Sequence, residues 1–516
     1  MGAAMRVLIR ADASLTIGTG HVLRCLTLAE RLRDCGADVA FVCRVLDGHL
    51  CDDITARGFP VCRLPGVLDC AGAREGSDLT KGAFTTAAED AELTLNALGE
   101  QRFEWIIVDH YGLDQEWEVA LRPFCDRLLA IDDLANRRHD CDVLVDQNLV
   151  ADLDTRYHGL LPTHCITLLG PAYALLSRHY AELRVRAAPR EGPLKRLLVS
   201  FGGFDQHGLT EMAVEALCDL NMPEVDADIV LASSSPQYPR IQTLVATRPQ
   251  FRLHDRVPSL ATLILAADAA IGAGGSTHWE RLALGLPSLV VTVADNQRPI
   301  AVELDRQGLI WWLGESGQMT PSILKERVNQ LLSEEIDVRW SEQCLAFVDG
   351  RGADRVAAML TAAPDMQLVR RHAKLDDEDL LLHWSNDRQT RQNAFSTREI
   401  TAQEHRAWFR RRLRNPTDCV LWIFETPFGI PIGQVRFDRR DTCFEISYAV
   451  APPFRGRGLG SAMLRSAIDA FHSERLGDTL IGQVKIDNPA SLRIFEQLGF
   501  SVRERRPDRL IFELGT

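Results

Sequence analysis

Short apolar runs recur through the first two-thirds of the chain, each followed by a helical stretch, and this alternation constrains the fold more than any other feature. Arg6–Arg10, Val39–Cys43, Trp105–Asp109 and Leu128–Asp133 are runs of this kind, the last two ending in acid. A continuous apolar run has no polar face to offer water, so it belongs in a parallel sheet covered by helices on both sides. After a Pro/Gly/Arg-rich linker at Pro189–Lys195 the pattern restarts with Arg196–Phe201, Ile229–Leu231, Ala269–Gly272 and Ser288–Thr292. Two doubly wound lobes of the α/β class are predicted, at 1–185 and 190–363. A break at Ala362-Ala363-Pro364 opens a third unit, 366–516, with a different order. Two early helices, about Glu378–Trp384 and Ala402–Arg412, precede the strands Cys419–Glu425, Ile432–Asp438 and Cys443–Val450 and a long helix, Gly458–His472. Consecutive hairpin-like strands predict a mostly antiparallel α+β domain.

Three glycine-rich turns stand at strand-to-helix junctions: Ile17–His21, Gly272–Thr277 and Arg455–Gly460. Such a turn offers free backbone N–H groups and the positive end of a helix dipole to an anion. The first two, one in each lobe, suit a nucleotide diphosphate held across a cleft at the carboxyl ends of the strands. Gly202-Gly203 and Asp295-Asn296-Gln297 also follow strands there. The third, with Arg455 and Arg457, suits the pyrophosphate of a different carrier.

Composition excludes several classes. The net charge of −13 is uneven: 365–516 holds 24 Lys+Arg against 21 Asp+Glu, which leaves the deficit in 1–364. An acidic front is a poor nucleic-acid binder, since that affinity comes from neutralising phosphates. The mildly basic tail fits a small polyanionic cofactor. No apolar run is long enough for a membrane span, and the start reads as neither signal nor transit peptide, so a cytoplasmic protein is expected. The 13 cysteines lack C-x-x-C pairs and are expected to be reduced. Asp132-Asp133 fits turn chemistry, and no metal is expected. Oligomeric state is left open.

Arg10-Ala11-Asp12-Ala13-Ser14 through Gly18-Thr19-Gly20-His21-Val22-Leu23-Arg24-Cys25 resembles the signature of the UDP-sugar hydrolases of pseudaminic acid biosynthesis. Gly274–Glu280 and Leu284-Gly285-Leu286-Pro287 match the nucleotide half of that pattern. The resemblance covers about 5–360. It implies the two-lobed GT-B-like architecture of nucleotide-sugar glycosyltransferases, and hydrolysis of UDP-2,4-diacetamido-2,4,6-trideoxy-β-L-altropyranose to UDP and free sugar. By position, His21 would be the base that activates water, as an imidazole can. Glu280 would accept the ribose hydroxyls, and Gly274, Gly275, Ser276 and Thr277 would hold the departing diphosphate. Asp12, Tyr111 and Asn296 would lie on the sugar side and Gly20 of the first glycine turn would also bind substrate, whereas His278 and Trp279 read as packing residues.

Arg455-Gly456-Arg457-Gly458-Leu459-Gly460, Asp487–Ser491 and Phe495–Phe500 together resemble the GNAT N-acetyltransferases over about 366–514. That resemblance implies acetyl-CoA as cosubstrate, with Tyr448, Ala449 and Val450 along the pantetheine, Arg455 to Gly460 around the pyrophosphate, and Asn488 touching the cofactor. Glu445 is the candidate base, directly or through water; a solvated strand residue is the alternative. Phe495 stands where many members have a tyrosine acid, so the resemblance names no general acid. Trp384–Arg388 and Glu404–Phe409 look like acceptor-side helices of amino-sugar acetyltransferases, or simply pack and solvate those helices. Together the halves imply acetylation of UDP-4-amino-4,6-dideoxy-N-acetyl-β-L-altrosamine followed by hydrolysis of the product. Competing readings are a glycosyltransferase front half, an idle nucleotide-sugar-binding module, and a tail acting on a protein amine.

Overall fold

The computed structural model describes residues 4–66, 86–220, 222–255, 257–474 and 478–515. The chain divides into two compact units, Met1–Ala357 and Ala358–Thr516.

The first unit holds two parallel sheets. One comprises β1 (Arg6–Ala11), β2 (Asp38–Arg44), β3 (Val61–Leu64), β4 (Phe103–Asp109), β5 (Cys125–Ile131), β6 (Val143–Asp146) and β7 (Ile166–Leu169), in the order 3-2-1-4-5-6-7. The other comprises β8 (Arg196–Ser200), β9 (Asp226–Val230), β10 (Phe251–His254), β11 (Ala269–Ala273), β12 (Ser288–Thr292) and β13 (Trp311–Glu315), in the order 10-9-8-11-12-13. In both, the order reverses between the first and fourth strands. A crevice opens at such a switch point, beyond the carboxyl ends of the strands. The glycine turns Ile17–His21 and Gly272–Thr277 follow β1 and β11, one strand of each switch pair.

Period-two alternation explains why these strands read as unbroken apolar runs. Leu198 and Val290 enter one core cluster of the second sheet, while Leu197, Val199, Leu289 and Val291 enter another. Both faces are therefore dry, and the structure bears out two Rossmann-like lobes. Val150, Ala174, Tyr180 and Leu183, although they precede β8, pack into the first of those clusters. The helix Gly352–Thr361 reaches the opposite way: Asp354 pairs with Arg31 at 2.6 Å and Arg355 donates to the Ala172 carbonyl at 2.8 Å.

The second unit is a single sheet of β14 (Val369–His372), β15 (Cys419–Glu425), β16 (Pro431–Arg440), β17 (Cys443–Val450), β18 (Thr479–Lys485), β19 (Ser501–Arg505) and β20 (Arg509–Leu514), ordered 14-15-16-17-18-20-19. Every pairing is antiparallel except β17 with β18. That parallel pairing covers only Cys443–Ile446 against Thr479–Gly482, whereas β16 pairs along all of β17. The two strands part there, and Ser447–Val450 have no strand partner on that side among the described residues. Three helices precede the meander rather than the two expected: Glu378–Asn386, Arg388–Asn393 and Ala402–Leu413. The short middle one starts at its own cap, the Asp387 carboxylate accepting from Thr390 N–H at 2.9 Å. Phe471, on the helix Leu459–Glu474, stacks on Phe437 at 4.2 Å and meets Phe444 edge-on at 5.0 Å, which seats that helix on the sheet. Among the described residues no helix is long and apolar enough to cross a membrane.

Candidate functional site

The turn after β1 folds back on itself, Gly18 N–H donating to the Ser14 carbonyl at 2.9 Å. Gly18 has φ +82°, a left-handed conformation that favours glycine. The turn delivers His21 into the first turn of the helix Gly20–Asp34, where it is 7% exposed. There His21 Nδ1 lies 2.6 Å from Oδ1 of Asp109, the fully buried last residue of β4. A carboxylate only accepts, so the contact places a proton on Nδ1 and, in the neutral ring, the lone pair on Nε2. Arg24, one helical turn on, grips the same carboxylate with Nε to Oδ2 and a terminal nitrogen to Oδ1, each at 2.6 Å. Burial alone would push the Asp109 carboxyl up; Arg24 and His21 outweigh it and hold it well below the usual carboxylate range. Arg24 also reaches Asp133 at 3.1 Å.

Tyr111 meets the His21 ring edge-on at 4.5 Å, and its hydroxyl accepts from the Asn296 amide, beyond β12, at 3.3 Å. The structure thus brings His21, Tyr111 and Asn296 together from separate stretches of sequence. It does not bring Asp12 to this group. Asp12 is fully buried, its oxygens taken by Arg10 at 2.6 and 2.8 Å and by Arg44 N–H at 2.7 Å. Arg10 continues to Asp90, which also accepts from Arg44 and from the Trp117 indole, so this is a closed ionic core beneath β1 and β2. His110, beside it, is driven down to about 4 by burial and by Arg10.

In the second lobe the turn after β11 leaves the N–H groups of Gly275, Ser276 and Thr277 without an acceptor among the described residues. A side chain at Gly272 would sit 2.3 Å from the Ser200 carbonyl, so this strand must pass bare against β8. Glu280 lies in the short helix Thr277–Ala283 that follows. Burial raises its carboxyl to about 7 against the opposing pull of Tyr180 and Arg281. His278 and Trp279 are buried beside it. Gly20, Gly202 and Gly203 line the exposed turns with open space around their Cα atoms.

In the second unit, Gly456 and Gly458 have φ +73° and +74°. The N–H groups of Gly456, Gly458, Leu459 and Gly460 meet no acceptor among the described residues, which leaves a row of donors at the start of a 16-residue helix. Arg455 turns its side chain inward, to Asp387 at 2.6 Å, Thr390 at 2.9 Å and the Val450 carbonyl at 3.1 Å. Arg457 is bound to the Met359 carbonyl. Gly460 packs against Tyr448 and Val450, in the stretch of β17 left open on its β18 side among the described residues. The Tyr448 hydroxyl and Ser491 Oγ are 2.9 Å apart. Asn488 caps the helix Pro489–Gln497, accepting from Ser491 N–H at 3.1 Å. Glu445 lies before the fork, with Arg440 donating to one oxygen at 2.7 Å and Gln483 to the other at 3.0 Å.

Residues 367–501 match the acetyltransferase (GNAT) domain family. The carboxyl-terminal unit carries a GNAT domain. Residues upstream match the UDP-2,4-diacetamido-2,4,6-trideoxy-beta-L-altropyranose hydrolase of Campylobacter jejuni, 26% identical over 305 residues, 59% of this chain and 97% of the relative. An uncharacterised protein of Methanocaldococcus jannaschii is 21% identical over 532 residues, covering 99% of this chain and 100% of its own. The crystal structure of Acinetobacter baumannii MurG aligns with a TM-score of 0.46 at 15% identity, over 69% of this chain and 99% of that one.

Within the GNAT domain Phe495 is 3% exposed and packs on Phe500 and Phe512, at 4.8 and 5.4 Å between ring centres. Its role is apolar packing at the fork, where it lies against Gly482. Sequence reasoning left Asp109, Arg24, Asp133 and Tyr180 outside the candidate site. The acid ending the β4 run was the one available signal for Asp109; nothing local tells that β4 lies beside β1. Among the described residues no cluster of three or more His, Cys, Asp or Glu is placed to hold a metal.

Proposed function

We propose that this chain is a bifunctional enzyme of pseudaminic acid biosynthesis. Its GNAT domain acetylates UDP-4-amino-4,6-dideoxy-N-acetyl-β-L-altrosamine, and its amino-terminal region hydrolyses the resulting UDP-2,4-diacetamido-2,4,6-trideoxy-β-L-altropyranose to UDP and free sugar. The observation that carries the reading is the buried His21–Asp109 pair beneath a glycine turn, in the lobe that resembles the hydrolase. The Tyr111–Asn296 contact joins this pair to the loops of the other lobe.

In this reading His21 Nε2 takes a proton from water. The water oxygen bonds to the anomeric carbon as the bond from that carbon to the UDP oxygen breaks. Asp109 stabilises the imidazolium that forms, as an acidic partner does for a catalytic histidine. The N–H groups of Gly275, Ser276 and Thr277 receive the negative charge of the departing diphosphate, and Glu280 holds the ribose. Tyr111 and Asn296 close the sugar side. Asp12 has no part in this step; it lies one layer below, held by Arg10.

Acetyl-CoA fits the residues of the GNAT domain: four free N–H groups suit its pyrophosphate, and the open edge of β17 suits an extended arm bearing amides. When bound it supplies the acetyl group as a thioester. Tyr448, Ala449 and Val450 line that arm, Arg455 and Arg457 brace the loop from beneath, and Asn488 holds the neighbouring helix in place. Glu445 takes the proton of the acceptor amine, directly or through water. The free, partly buried thiols fit a reducing, cytoplasmic setting.

The test is incubation with acetyl-CoA and the 4-amino UDP-sugar, with products identified by NMR. The reading expects the diacetamido sugar and UDP. UDP release that requires a second sugar or lipid acceptor would instead indicate glycosyl transfer.

A further inference from the structure

We propose that Arg24 is a positioning residue for the hydrolytic site, clamping Asp109 so that His21 presents an unprotonated Nε2 to the groove. This rests on the reading of that site as hydrolytic. A lone hydrogen bond from His21 to Asp109 would leave the carboxylate free to rotate about the Cβ–Cγ bond and to meet either ring nitrogen of a histidine that turns with it. The structure removes that freedom. Arg24 lies on the same helix as His21, three residues on, and its planar fork engages both Asp109 oxygens at 2.6 Å. Oδ1 is then shared by Arg24 and His21 Nδ1, the latter also at 2.6 Å. A fork of this kind fixes the plane of a carboxylate as well as its distance.

The clamp is itself anchored. The remaining terminal nitrogen of Arg24 meets Asp133 at 3.1 Å, with both side chains 10% exposed. Asp133 follows β5 and Asp109 ends β4, so two adjacent strands and the glycine-turn helix meet through one guanidinium. Cys25 adds a weak donor to Asp109 Oδ2 at 3.5 Å. Tyr111 meets the imidazole edge-on at 4.5 Å. Lysine cannot substitute, because an ammonium is a point donor without the fork.

The variants Arg24→Gln, Arg24→Lys and Asp133→Asn, in the full-length chain, test this. Two readouts serve: UDP release from the diacetamido UDP-sugar, and the His21 tautomer by side-chain nitrogen NMR of histidine-labelled protein. UDP binding and circular dichroism establish that each variant is folded. Both Arg24 variants are expected to lower kcat about 100-fold with KM within twofold, and to show His21 as a mixture of tautomers where the parent holds the proton on Nδ1. Asp133→Asn keeps an acceptor for Arg24 and is expected to lose only several-fold. Full activity in Arg24→Lys, or an unchanged tautomer in folded Arg24→Gln, overturns the proposal. An altered tautomer in a protein whose parent form releases no UDP removes the hydrolytic reading and retains the clamp.

Discussion

Asp109 is the residue on which the hydrolytic site turns. Replacing it with asparagine keeps the shape but offers an N–H where the histidine needs an acceptor, so the ring turns over or exchanges its proton. In a Ser-His-Asp triad the same exchange costs about 10⁴-fold in kcat. Here Asp109→Asn is expected to lower kcat for UDP release by about 10³-fold or more with KM little changed, as steady-state kinetics would record. A second residue-scale expectation concerns stability. His139 is buried between Glu118, at 2.6 Å, and Asp132, at 3.8 Å. Burial pulls its pKa down, but the two carboxylates outweigh it and raise the group from 6.5 to about 9. A pKa raised on folding gives stability that is complete below the unfolded value and is lost as pH climbs through the folded one. Thermal unfolding followed from pH 6 to pH 10 should therefore show a fall across roughly pH 6.5 to 9 that His139→Asn reduces. An equal fall in both proteins would contradict this.

At the scale of elements, the glycine turns were legible because everything that makes them is local: a strand, a residue tolerant of positive φ, and a helix start. The partners of those turns were not. Asp109 meets His21 because β4 lies next to β1, and Tyr180 meets Glu280 because the segment before β8 packs on the second sheet; sequence distance hides both. The strands Val61–Leu64 and Ile166–Leu169 have four residues each, too few to show a period. In the GNAT domain the motif located the loop, while the fork between β17 and β18 became visible only in the register. That fork depends on Gly482, where a Cβ would stand 2.1 Å from the Phe495 ring. Gly482→Ala is expected to destabilise the GNAT domain by about 1–3 kcal/mol through overpacking, and Phe495→Leu in the same chain to recover part of the loss. Denaturant unfolding that leaves the midpoint unmoved would refute the packing argument.

For the whole molecule, the two activities should separate by point mutation in the intact chain, because each site draws its chemistry from its own unit. His21→Ala should abolish UDP release while acetyl transfer stays within twofold; Glu445→Gln should lower acetyl transfer about 100-fold, the range of a lost general base, and spare UDP release. Paired assays on one preparation would decide it. The central claim is that His21 and Asp109 direct water at the anomeric carbon of a UDP-linked sugar. The measurement that tests it most directly is hydrolysis of the diacetamido UDP-sugar in ¹⁸O-labelled water, with no other acceptor, read by mass spectrometry of both products. The account predicts one ¹⁸O atom in the free sugar and none in UDP; label in the UDP phosphate, or no release without an added acceptor, would contradict it.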